Sequence, residues 1–149
     1  MKSITGIKIP KLGFIPQKIG DLIYHEGPLL SLFIDRSNPD TYYLYKWADC
    51  DEKTNRWLVL QLNTVDLRSF FYKEISLKSL LLNSPVTYVL NLDDNLTETN
   101  IMVCSTNDLP KEYLPKKILS IVKKNILSFL PPSKQLLQTI GLMIRSVKS

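Results

Sequence analysis

Residues 46–62 read KWADCDEKTNRWLVLQL. From Arg56 the chain alternates, with Trp57, Val59 and Gln61 on one face and Leu58, Leu60 and Leu62 on the other. Before the polar stretch, residues 42–48 alternate aromatics with smaller side chains. Two strand-like runs flanking Asp49, Cys50, Asp51, Glu52, Lys53, Thr54 and Asn55 predict an antiparallel hairpin, because those polar residues suit a turn and not a ladder. The same stretch concentrates more reactive side chains than any other, so it decides both the fold and the search for chemistry.

Working outward, residues 1–18 hold Gly6, Pro10, Gly13 and Pro16 among isolated apolar residues and read as an extended N-terminal arm or an irregular edge strand. Residues 21–25 and 29–35 are strand-like and are separated by the turn signal Glu26-Gly27-Pro28. Asn63 or Thr64 is placed to cap a short helix through Phe71, and Ser76 to cap one from Leu77 to Asn83. Residues 86–92 and 99–105 flank Asp93-Asp94-Asn95 as a second hairpin. Apolar residues at helical spacing then run from Ile118 to Phe129 and from Leu136 to Val147, broken by Pro131-Pro132. The expectation is one α+β domain over 1–149: an antiparallel sheet of about five strands within a module at 19–108, two short intervening helices, and a basic C-terminal amphipathic helical pair over 116–148 that covers the sheet or projects to a partner.

A chain of 149 residues is long enough for one core without a metal or disulfide staple. No apolar run approaches the roughly 18 residues of a membrane span, and Lys8, Pro10 and Lys11 interrupt any leader-like run, so a cytoplasmic protein with no membrane partner is expected. The net charge of +5 is unevenly placed: residues 109–149 carry eight bases against Glu112, whereas 76–108 carry Lys78 against four acids. A basic C-terminal quarter on a slightly acidic body points to a partner of opposite charge or to self-association as a homodimer.

The acidic turn fails as a calcium loop. Asp49 and Asp51 fit the first two ligand places, but Lys53 occupies the third, Thr54 replaces the glycine and Leu60 stands where the closing Glu belongs. Cys50, between two Asp residues, is badly placed to form a thiolate, and His25 is the only histidine. No phosphate-binding glycine loop and no Ser-centred elbow occurs. Neither a catalytic residue, a metal ligand nor a cofactor is therefore assigned. The candidate partner-binding residues are Trp47, Asp49, Asp51, Glu52 and Arg56, and the candidate anion-binding residues are Lys116, Lys117, Lys123 and Lys124.

Residues 24–33, YHEGPLLSLF, followed by residues 43–58, YLYKWADCDEKTNRWL, resemble a group of small bacterial proteins classed as a domain of unknown function. The resemblance covers about residues 20–90. It implies a bacterial or phage-related origin and a compact module, and it carries over no catalytic residue. The leading functional expectation is a non-enzymatic protein–protein interaction module of the accessory, immunity or antitoxin-like kind. One alternative is a nucleic-acid-associated protein using the C-terminal lysines. Another is a hydrolase using the acidic hairpin tip, which also keeps weak cation binding there open.

Overall fold

A computed structural model describes residues 1–115. Among these residues seven antiparallel strands form one sheet: β1 (Ile7–Lys8), β2 (Pro16–Tyr24), β3 (Pro28–Asp35), β4 (Asn38–Cys50), β5 (Thr54–Asn63), β6 (Val86–Asp93) and β7 (Glu98–Ser105). Their spatial order is β1-β7-β6-β5-β4-β3-β2, so β2 to β5 make a continuous meander and β5 remains beside β6 despite the helices between them. The helices are α1 (Thr64–Phe71) and α2 (Leu77–Asn83). Asn63 Oδ1 accepts from Asp66 N (2.8 Å) and Ser76 Oγ from Ser79 N (3.0 Å), each supplying a partner for an otherwise orphaned helix-start donor.

This corrects the expected architecture of about five strands under a C-terminal helical pair. Among the described residues the helical cover of the sheet comes from α1, α2 and two 3-10 turns, Thr106–Asp108 and Lys111–Tyr113. Leu67, Phe70 and Phe71 of α1 and Leu77, Leu80 and Leu81 of α2 pack with Leu30, Leu32, Leu44, Leu58, Leu60, Val89 and Met102 of the sheet. The spacing of those helical residues puts them on one stripe, which is why two short helices suffice. The expected pair at 116–148 lies outside the described residues, and the four lysines named on it lie there too.

The N-terminal residues take the edge-strand form of the two expected for them and add a second layer. Residues 1–15 supply β1, an edge strand beside β7, and the cover of the opposite face. Ile9, Leu12 and Phe14 pack with Tyr43, Tyr45, Val59, Leu90 and Ile101. With both faces covered, the run Leu58-Val59-Leu60 of β5 is buried throughout although its side chains alternate. Pro16 opens β2, which lies at the edge of the sheet, where a missing N–H breaks no inner ladder. β1 sits close to β7: a Cβ added to Gly6 would meet Val103 O at 3.0 Å and Cys104 Cβ at 3.2 Å. Asp35 Oδ1 ties the arm to the β3–β4 turn, accepting from Ile15 N (3.2 Å), Ser37 N (2.9 Å) and Ser37 Oγ (2.6 Å).

Candidate functional site

The β4–β5 hairpin pairs Trp47 with Trp57, Asp49 with Arg56 and Cys50 with Asn55. Register slips by one residue between Trp47 and Asp49. Side chains alternate along a strand, so such a bulge re-aims everything beyond it. Trp47 and Asn55 meet on the arm-covered face, where Trp47 Nε1 donates to Asn55 Oδ1 (3.0 Å). Asp49 instead shares the helix-covered face with Arg56.

On that face a polar network closes the core. Arg56 is buried, donating from Nε to Asn91 Oδ1 (3.0 Å), and from Nη1 to Tyr113 Oη (3.2 Å) and to the carbonyl of Lys2. Tyr113 Oη donates to Asp49 Oδ2 (2.9 Å), which also accepts from Lys2 N (3.3 Å). The tyrosine bond and the Cys50 N–H hold the Asp49 carboxyl below the usual carboxylate range, while burial pushes the Tyr113 phenol up. The network joins the arm, the hairpin, β6 and the second 3-10 turn. Among the described residues Arg56 thus meets its partners inside the molecule.

Asp51 does a different job. Its Oδ1 accepts from Lys53 N (2.9 Å), Thr54 N (2.8 Å) and Thr54 Oγ1 (3.1 Å), forming its own turn and lowering its carboxyl pKa. Cys50, Glu52 and Lys53 are exposed at the tip, and Trp47 is half-buried. The five hairpin residues named from sequence therefore divide: Asp49 and Arg56 belong to one network, Asp51 to the turn, Trp47 to the other face, and Glu52 to solvent. The two Asp carboxylates have separate partners and do not converge on a common point. Neither has the raised pKa that a carboxylic acid needs to donate a proton near neutrality.

Lys2, Asn91 and Tyr113 escaped the sequence reading because nothing local marks them; only the bulge and the return of the chain after β7 bring them together. The other reactive groups are unremarkably placed: His25 is exposed in the β2–β3 turn, and buried Cys104 donates from Sγ to Thr87 O (3.6 Å), its thiol pKa raised by burial. Among the described residues no helix is long and apolar enough to cross a membrane. No family model, curated protein or solved structure matches this chain.

Proposed function

We propose that this chain is a non-enzymatic protein–protein interaction module, of the accessory, immunity or antitoxin-like kind, that meets another protein through the β4–β5 hairpin end. The observation carrying this reading is the division of polar groups. Asp49, Asp51 and Arg56 hold the hairpin in shape through bonds within the molecule, leaving Glu52 and Lys53 free in solvent on a stiff support. A pre-ordered exposed tip loses little conformational entropy on binding, which favours recognition. The lowered pKa values of Asp49 and Asp51 disfavour general-acid work by those two residues.

The test is affinity purification of the full chain from its host with nuclease present, repeated with the charge-swapped Glu52→Lys/Lys53→Glu variant. A protein retained through nuclease treatment and lost on the swap supports the proposal. Loss with nuclease alone transfers the reading to nucleic acid. A partner unaffected by the swap removes the tip as the binding surface.

A further inference from the structure

On the arm-covered side of the sheet lies a cleft of about 360 Å³, within the size range of small-ligand pockets. Its wall is largely apolar and aromatic: Phe33, Tyr45, Trp57, Leu90 and Leu92 from four adjacent strands, with Leu96 from the β6–β7 turn. Lys18 and Glu98 also line it and are exposed to solvent. Lys18 is paired with Asp21 (2.7 Å), so its charge is already met.

Tyr45 is the unusual member. Only 4% of it is exposed, and its hydroxyl has no hydrogen-bond partner among the described residues. Phe33 stacks against its ring with centroids 4.0 Å apart, which fixes the ring without satisfying the hydroxyl. A buried hydroxyl without a partner is destabilising, and native structures rarely leave one so. The rim adds a second oddity. Leu96 holds a left-handed backbone (φ 61°) with 78% of its surface exposed, so an apolar side chain stands in water beside an apolar cleft. A molecule with an apolar body and one polar group would cover the exposed Leu96 side chain and offer the Tyr45 hydroxyl a partner.

We propose that this cleft is a ligand site for a compact apolar molecule, one or two rings in size, bearing a single hydroxyl or amine that hydrogen-bonds Tyr45. The aromatic walls take the ring, Leu96 closes over its edge, and Tyr45 selects for the polar group. This site is separate from the hairpin tip and stands or falls independently of it.

The test uses two probes that differ only in the polar group, 4-ethylphenol and ethylbenzene, titrated into the full-length isotope-labelled protein and followed by NMR at the Trp57 indole N–H and the Leu92 amide. The expected result is saturable binding of both, with 4-ethylphenol roughly fivefold to tenfold tighter, the worth of one net hydrogen bond. In Tyr45→Phe the order reverses, because the probe's hydroxyl then leaves water without replacement. A thermal melt of that variant at or above the wild-type midpoint shows that it is folded. Leu92→Trp, filling the cleft from its rim, abolishes both titrations. No binding of either probe, perturbations away from Trp57 and Leu92, or ethylbenzene binding as tightly as 4-ethylphenol to wild type would each overturn the proposal.

Discussion

Lys46 is the residue most at odds with its surroundings. It pairs between Leu30 on β3 and Leu58 on β5, is 8% exposed, and donates from Nζ to the carbonyl of its neighbour Trp47 (3.1 Å). Burial disfavours its ammonium and brings its pKa down from 10.5 to about 8. In the folded chain the proton therefore leaves near pH 8, while the unfolded chain keeps it until about 10.5, so the unfolded state binds more protons between those values. Stability climbs with pH across that window and is flat, in this respect, below it. The buried phenols of Tyr42 and Tyr43 have raised pKa values and act in the opposite sense above about pH 10, so the comparison belongs between pH 7.5 and 9.5. The raised Cys104 thiol acts in the same downward sense in both proteins from about pH 9, so urea unfolding there should show the free energy rising with pH more steeply in wild type than in Lys46→Met, which should also be about 1–2 kcal/mol more stable at pH 7. An identical pH slope in both proteins would remove Lys46 as its source. Tyr113 offers the contrasting case of a well-used polar atom. Tyr113→Phe deletes its bonds to both Arg56 and Asp49 and should cost about 1–3 kcal/mol in the same assay, with a loss below about 0.5 kcal/mol showing the network to be slack.

At the scale of elements, local chemistry was legible where one short segment decides the outcome. The helix caps at Asn63 and Ser76 stand where their side chains promise, and the hairpin turn falls within the polar stretch after Trp47. What escaped was the register. A bulge at Ala48 carries no sequence mark, yet it separates Asp49 from Trp47 and gives the carboxylate to Tyr113 instead of to a solvent-facing acidic patch. The end of α1 shows another choice that local preference does not dictate. Lys73 follows the helix in a left-handed conformation (φ 61°), its N–H reaching Phe70 O (3.1 Å), while Glu74 N reaches Ser69 O (2.9 Å). This is a helix-terminating motif that glycine fills most readily, because a Cβ is unfavourable there. Lys73→Gly should raise stability by about 0.5–1 kcal/mol in thermal or urea unfolding. A loss of that size would mean that the lysine side chain contributes more than its backbone conformation costs.

For the whole molecule, the least legible feature was that the first 15 residues cover a face of the sheet as well as extending its edge. Their prolines and glycines made them look peripheral, and β1 has too few residues to display a period. Alternation in residues 56–62 divides the side chains between two faces, and nothing in β5 says that a distant segment will cover the second. The arm provides that cover, so the described residues are layered as helices, sheet and arm. Phe14 is its anchor: buried, stacked on Tyr43 with centroids 3.6 Å apart and meeting Tyr88 edge-on at 5.9 Å. If the arm is a structural layer, Phe14→Ala should cost about 3 kcal/mol in urea unfolding, the scale for an aromatic side chain lost from a core. The same variant should bind a hydrophobic dye as the apolar face around Tyr43 and Ile101 opens. Phe14→Leu keeps most of the apolar area and should recover more than half the loss. If the arm is instead a loosely held tail, both substitutions will cost less than about 1 kcal/mol, as surface changes do. That outcome would return the sheet to two layers and make the aromatic face, with the cleft at its edge, a surface open to a partner.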